Sequence, residues 1–212
     1  MDTLALNPVG YTATHPSPFP RENRLILYVD GLTTRYEDLK REGSRMYERY
    51  RATLRAILEG FPERNTLVLF PSYVIYEMVM HESFSAEMDA LRPCYFDRPG
   101  MGQGELMAVI EGFKGTRGGV LFSVLGGRVS EGMDFPQKAL EMVLMVGIPY
   151  PKPTARQRAL EQYYEMRFGK GWDYGVRAPT LRRMLQAAGR LIRSESDRGV
   201  AVIPVSYTHL TL

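Results

Sequence analysis

With 212 residues, 44% of them apolar, 11% aromatic and 24% charged, the chain has the length and make-up of one globular domain that needs no disulfide or metal to hold its core. A mean hydropathy of −0.24 and the lack of any run of 18 apolar residues exclude a membrane protein. The net charge of +3 does not by itself demand a polyanionic partner, but 22 of the 27 basic residues are arginine, whose planar fork suits phosphate.

Cys94 is the one cysteine, and His15, His81 and His209 are scattered without an HExxH string. These counts exclude a disulfide framework, a cysteine zinc site and an iron–sulfur cluster held by this chain, and no catalytic metal is expected. The first residues lack the basic and apolar regions of a secretion signal, so a cytoplasmic protein without a membrane partner is expected.

Pro8, Pro16, Pro18 and Pro20 mark residues 1–20 as an extended lead-in to a domain over 21–204. Residues 24–29 (RLILYV) read as a buried strand, and 36–58 as one helix with Leu39, Met46, Tyr47, Tyr50, Leu54, Ile57 and Leu58 on one stripe, stopped by Gly60 and Pro62. A strand over 66–70 leads through Pro71, Ser72 and Tyr73 into a helix over 74–80. Strands follow at 94–97, 119–125, 141–148 and 200–203, with helices at 105–113, 155–167 and 181–192. This alternation predicts an α/β fold, a parallel sheet with helices on both faces. Ligands of such sheets sit at the carboxyl ends of strands, so the loops after Phe70, Leu125 and Ile148 and before Leu181 are expected to hold the chemistry.

No GxxxxGK[ST] and no DEAH-like acidic box is present. Gly169-Lys170-Gly171 lacks the upstream glycine and the hydroxyl for magnesium, and the run Gly100 to Gly104 reads as a turn before a helix. Two other strings carry the signal. In GGRVSEGMDF, residues 126–135, glycines free the backbone to approach an anion while Arg128, Glu131 and Asp134 bring charge to a strand end. In QAAGRLIR, residues 186–193, Gln186, Gly189 or Arg190, and Arg193 recur at helical spacing, so two guanidiniums on one face form a clamp for a transferring phosphoryl group. The plain alternatives are a tight loop with a solvated acid pair and a solvated arginine face.

Ser72 and Tyr73, at a strand-to-helix junction, are placed to bind a nucleic-acid phosphate, with an ordinary helix cap as the alternative for Ser72. Arg128 and Ser130 occupy the equivalent loop one strand over. Tyr73, Tyr150 and Trp172 are candidate stacking platforms for bases, although core packing is the favoured role for Trp172.

The two strings, in this order, resemble motifs V and VI of superfamily 2 helicases in the variant of the XPD/DinG family. SPFPRENR (17–24), TTRY (33–36), LVLFPSY (67–73), GIPYP (147–151) and QAAGRLIRSESDRG (186–199) extend the resemblance over about residues 17–203. It implies the C-terminal, second RecA-like motor domain of a P-loop NTPase-type DNA helicase, lacking the P-loop itself. ATP with Mg2+ would then be shared with an N-terminal motor domain, which would also carry the iron–sulfur cluster. By the resemblance Arg190 and Arg193 reach the γ-phosphate, Gln186 orients the site, Gly189 allows close approach, and Glu131, Gly132 and Asp134 line the cleft. Ser72, Tyr73, Arg128 and Ser130 touch DNA. The implied partners are single-stranded DNA, the N-terminal motor domain and repair or transcription factors, with a nucleoid location in a prokaryote. The isolated chain is expected to be inactive, and residues 205–212 read as a truncated or non-native tail. A stand-alone nucleic-acid-binding or protein-interaction module without catalysis is the competing reading, and the intact QAAGRLIR argues against it.

Overall fold

Side chains along a strand alternate between two faces, and in this chain both faces are apolar. The computed structural model describes residues 20–30, 32–33, 36–192 and 194–204. Its six strands are β1 (Arg24–Val29), β2 (Thr66–Phe70), β3 (Cys94–Phe96), β4 (Val120–Val124), β5 (Met142–Met145) and β6 (Gly199–Pro204). They form one sheet in the order β1-β6-β5-β2-β4-β3, every pairing parallel. The α/β expectation therefore holds. The lead-in over 1–19 and the tail over 205–212 lie outside the described residues.

On one face Val68, Phe70, Phe122, Leu144 and Val202 pack with Met46, Tyr50, Leu54 and Leu58 of α2 (Ser44–Gly60), and with α3 (Tyr73–Val79) and α4 (Glu82–Leu91). On the other, Leu67, Leu69, Leu121, Val143 and Ala201 meet α5 (Gln103–Lys114), α6 (Arg128–Gly132) and α8 (Ala178–Ala188). Each such fully buried aliphatic side chain contributes about 1.5–3 kcal/mol. The remaining helices are α1 (Tyr36–Glu42), ahead of α2, and α7 (Ala155–Phe168). The latter buries none of its residues fully and leans on a π-helical turn, Asp173–Arg177.

Several expectations are corrected. The helix over 36–58 is two helices, because Gly43 takes a φ of +53° that a side chain would strain. The strand expected to be buried, β1, stands at the sheet margin with β6 as its one neighbour among the described residues, and Leu25, Ile26 and Tyr28 are about half exposed. Helix α4 was not foreseen; it starts at His81, whose Nδ1 accepts from the Phe84 N–H. The helix expected over 181–192 begins at Ala178 and ends at Ala188, where a 3-10 turn, Gly189–Leu191, takes over.

Buried Arg92 ties the end of α2, the segment between α2 and β2 and the turn before β4 together through carbonyl oxygens. Nε donates to Gly118 O at 2.8 Å, Nη1 to Leu58 O at 3.0 Å and Phe61 O at 3.1 Å, and Nη2 to Arg64 O at 2.5 Å. Burial lowers its pKa from the ordinary guanidinium value.

Candidate functional site

The string GGRVSEGMDF leaves the carboxyl end of β4 through two glycines, at each of which a side chain would be strained or crowded. Gly126 has a φ of +80°, and a Cβ on Gly127 would lie 3.0 Å from Val124 O and Cγ2. The chain then turns at once into α6, so Arg128 and Ser130 lie on a short helix, not on a loop as expected. Val129 is fully buried and pins that helix to the sheet. Ser130 is buried too, and its hydroxyl donates to Gly127 O at 3.1 Å. Gly132, the last residue of α6, and Asp134 beyond it are exposed.

The string QAAGRLIR approaches the same segment from α8. Gln186 and Gly189 are exposed, and the Arg190 guanidinium donates through Nη1 to Met133 O. The two strings, 57 residues apart at this contact, are thus joined by a charged donor on a backbone carbonyl. The α-helix that carries Gln186 ends at Ala188, so Gly189 and Arg190 lie in the 3-10 turn that follows it. Arg193 and the side chain of Glu131 lie outside the described residues. Leu191 packs against Gly199, the first residue of β6, so the turn lies at the amino end of that strand and not among the carboxyl-end loops expected to hold the chemistry.

A second group gathers at the carboxyl ends of β2, β3 and β4. Ser72 caps α3, its Oγ accepting from the Ile75 N–H at 3.4 Å, which is the ordinary cap weighed for it. Tyr73 is half-buried; burial first and the Asp97 carboxylate second push its phenol pKa up, against a smaller downward pull from Arg128. Asp97, the first residue beyond β3, is fully buried, with Oδ2 accepting from Ser123 Oγ at 2.7 Å and Oδ1 lying 3.6 Å from Arg128 Nη2. Neither Asp97 nor Ser123 was singled out from the sequence. A signal existed, because a hydroxyl inside the apolar run of β4 must find a buried partner.

Trp172 is not in the core; it is 55% exposed and lies beside Tyr150, ring centroids 5.7 Å apart. Gly169 ends α7 in the left-handed region, and Gly171 N–H donates to Glu165 Oε2, so Gly-Lys-Gly is a helix end. Gly102 caps α5, as a turn before a helix requires. A cleft of about 660 Å³ beside α3 and α4 carries Glu77, Glu82 and Asp89 against Arg98, a lining that does not favour anions. Among the described residues no cluster of three or more His, Cys, Asp or Glu is placed to hold a metal, and no helix is long and apolar enough to cross a membrane.

A family model described as helicase C-terminal domain matches residues 54–204. The chain is 31% identical over 201 residues to a Methanocaldococcus jannaschii protein named "Probable ATP-dependent helicase", covering 88% of this chain and 29% of that one. It is 24% identical over 206 residues to the ATP-dependent DNA helicase CHL1 of Meyerozyma guilliermondii, covering 87% and 24%. The chain thus spans under a third of these relatives. Among solved structures, an XPD helicase superposes with a TM-score of 0.66 at 25% identity, over 86% of this chain and 31% of that one. The C-terminal domain of the DEAD-box protein Dbp5 superposes with a TM-score of 0.55 at 14% identity, over 87% and 77%, which shows a shared RecA-like fold.

Proposed function

Because the chain belongs to the helicase C-terminal domain family, we propose that it is the second motor half of an ATP-dependent DNA helicase of the XPD type, acting on single-stranded DNA. The observation that carries this reading is the grip of Arg190 on Met133 O, which brings the two strings into one unit. Arg190, with Arg193 three residues on, would face the γ-phosphate of a nucleotide held mainly by an N-terminal motor domain. Gln186, Gly189, Gly132, Asp134 and Glu131 would line the same cleft.

ATP with Mg2+ would supply the phosphoryl group and its counter-charge, and the iron–sulfur cluster would belong to the other half. This chain's own task is to present fixed positive charge, because phosphoryl transfer is accelerated by positioning and electrostatics. At the other group, the N-terminus of the seven-residue α3, the Tyr73 phenol and the Arg128 guanidinium would hold DNA phosphates without reading sequence. Helix α6 joins the two groups, with Arg128 at its start and Met133 just past its end. Repair is the process this activity would serve, in the cytoplasm, with repair or transcription factors as further partners.

The test is turnover in the full-length protein. Arg193→Ala and Arg190→Ala should each lower DNA-stimulated kcat by about 10³-fold with DNA affinity within a few-fold, and lysine should restore little because a point charge lacks the fork. The isolated 212-residue chain should show no ATP hydrolysis while binding single-stranded DNA weakly and with strong salt dependence. Normal turnover in both alanine variants would refute the reading.

A further inference from the structure

The group at the carboxyl ends of β2, β3 and β4 contains an acid for which a phosphate-binding surface has no direct use. Asp97 has no solvent exposure and is held from three sides. Its backbone N–H donates to Phe122 O at 2.9 Å, Ser123 Oγ donates to Oδ2 at 2.7 Å, and Arg128 Nη2 stands 3.6 Å from Oδ1. Ser123 is itself fully buried within β4, so the carboxylate is fixed from below by the sheet. The group it meets from above belongs to the surface: the Arg128 side chain is 40% exposed.

A buried carboxylate is expensive to keep. An ion pair at 3.6 Å with a partner so open to solvent returns little stability. What the arrangement does supply is orientation. Arg128 has five N–H donors, and turning one edge toward Asp97 leaves the rest of the fork at a set angle outside the sheet.

We propose that Asp97 is a positioning residue that holds the Arg128 guanidinium in place for a nucleic-acid phosphate. This rests on the reading of Arg128 as a DNA contact. Removing the carboxylate has two opposing consequences, since it lifts a repulsion on the phosphate and releases a long side chain. The second dominates, because the carboxylate is buried behind the guanidinium while the phosphate would approach from the solvent side.

The experiment measures affinity of the 212-residue chain for an oligothymidylate by fluorescence anisotropy, with melting temperature alongside. Asp97→Asn should weaken binding about 3- to 10-fold and have no further effect in an Arg128→Ala background, the signature of two residues acting as one. Ser123→Ala, which keeps the charge but frees the carboxylate to turn, should cause a smaller loss that also vanishes with Arg128→Ala. It serves as the test should Asp97→Asn fail to fold. Unchanged or tighter binding in Asp97→Asn, or a loss that persists undiminished without Arg128, overturns the inference alone. If Arg128→Ala itself binds like the wild type, the phosphate-surface reading fails first and the inference goes with it.

Discussion

Gly189 sits in the second candidate string beside Arg190, and nothing among the described residues requires it to be glycine. Its φ of −63° and ψ of −13° are ordinary right-handed helical values, and a Cβ built there meets no atom within 4 Å. Gly189→Ala should therefore stabilise the chain by about 0.4–1 kcal/mol through the smaller entropy of its unfolded state. For a domain of this size that is a rise in Tm of roughly 1–4 °C. The same methyl should harm function, because an exposed glycine beside Arg190 leaves room for something outside the chain. In the full-length protein, DNA-stimulated kcat should fall by about 10-fold or more, since small displacements at a phosphoryl-transfer site are costly. Thermal denaturation of the chain and steady-state turnover of the full-length protein give the two readouts. A raised Tm with unchanged turnover would refute the cleft assignment for Gly189, and a lowered Tm would refute the helical backbone on which the magnitude rests.

Arg92→Ala should cost about 3 kcal/mol or more in denaturant unfolding, because four carbonyl bonds, two of them buried and two part-buried, are lost together, and Arg92→Lys should recover only part of it. Wild-type stability in Arg92→Ala would contradict the bonding described. Burial first, then Asp89, pushes the Cys94 thiol from 9.0 up to about 12, so alkylation at pH 8 should be far slower in the folded chain than in denaturant. Because the folded state favours the protonated thiol, its contribution to stability is present below pH 9.0 and is lost as pH rises toward 12; equal alkylation rates in both states would count against this. Trp172→Ala should leave Tm nearly unchanged yet weaken single-stranded DNA binding by roughly 5- to 150-fold if Trp172 stacks on a base, and unaltered affinity would remove it from the surface.

The central strands were legible because their position imposes a pattern. TLVLF and VLFSV are covered on both faces, and such strands read as continuous apolar runs. RLILYV reads the same way, yet β1 lies at the margin; composition does not record where a strand falls in the sheet order. The break at Gly43 was hidden because the helical stripe resumes in phase, with Leu39 packed against the same core as Met46 and Tyr50. Helix α4 offers only Phe84 and Met88 to the interior and is capped by a histidine, so neither its apolar period nor its start carries a strong signal.

The site divides along the same line. Which residues bear charge and which free the backbone could be read from two short strings, because chemistry at a phosphate needs arginine forks and small residues. Which atoms those forks touch could not be, since Arg190 reaches Met133 and Arg128 reaches Asp97, contacts that only the folding of α8 and β3 against α6 creates. Five residues are too few for a helical period to show, so α6 reads as loop, although the buried side chain of Val129 fixes it to the sheet. That anchoring gives the fold its consequence for function. With Arg128 on its first residue and the carbonyl that holds Arg190 one residue past its last, a displacement at either group has only a short, pinned helix through which to reach the other.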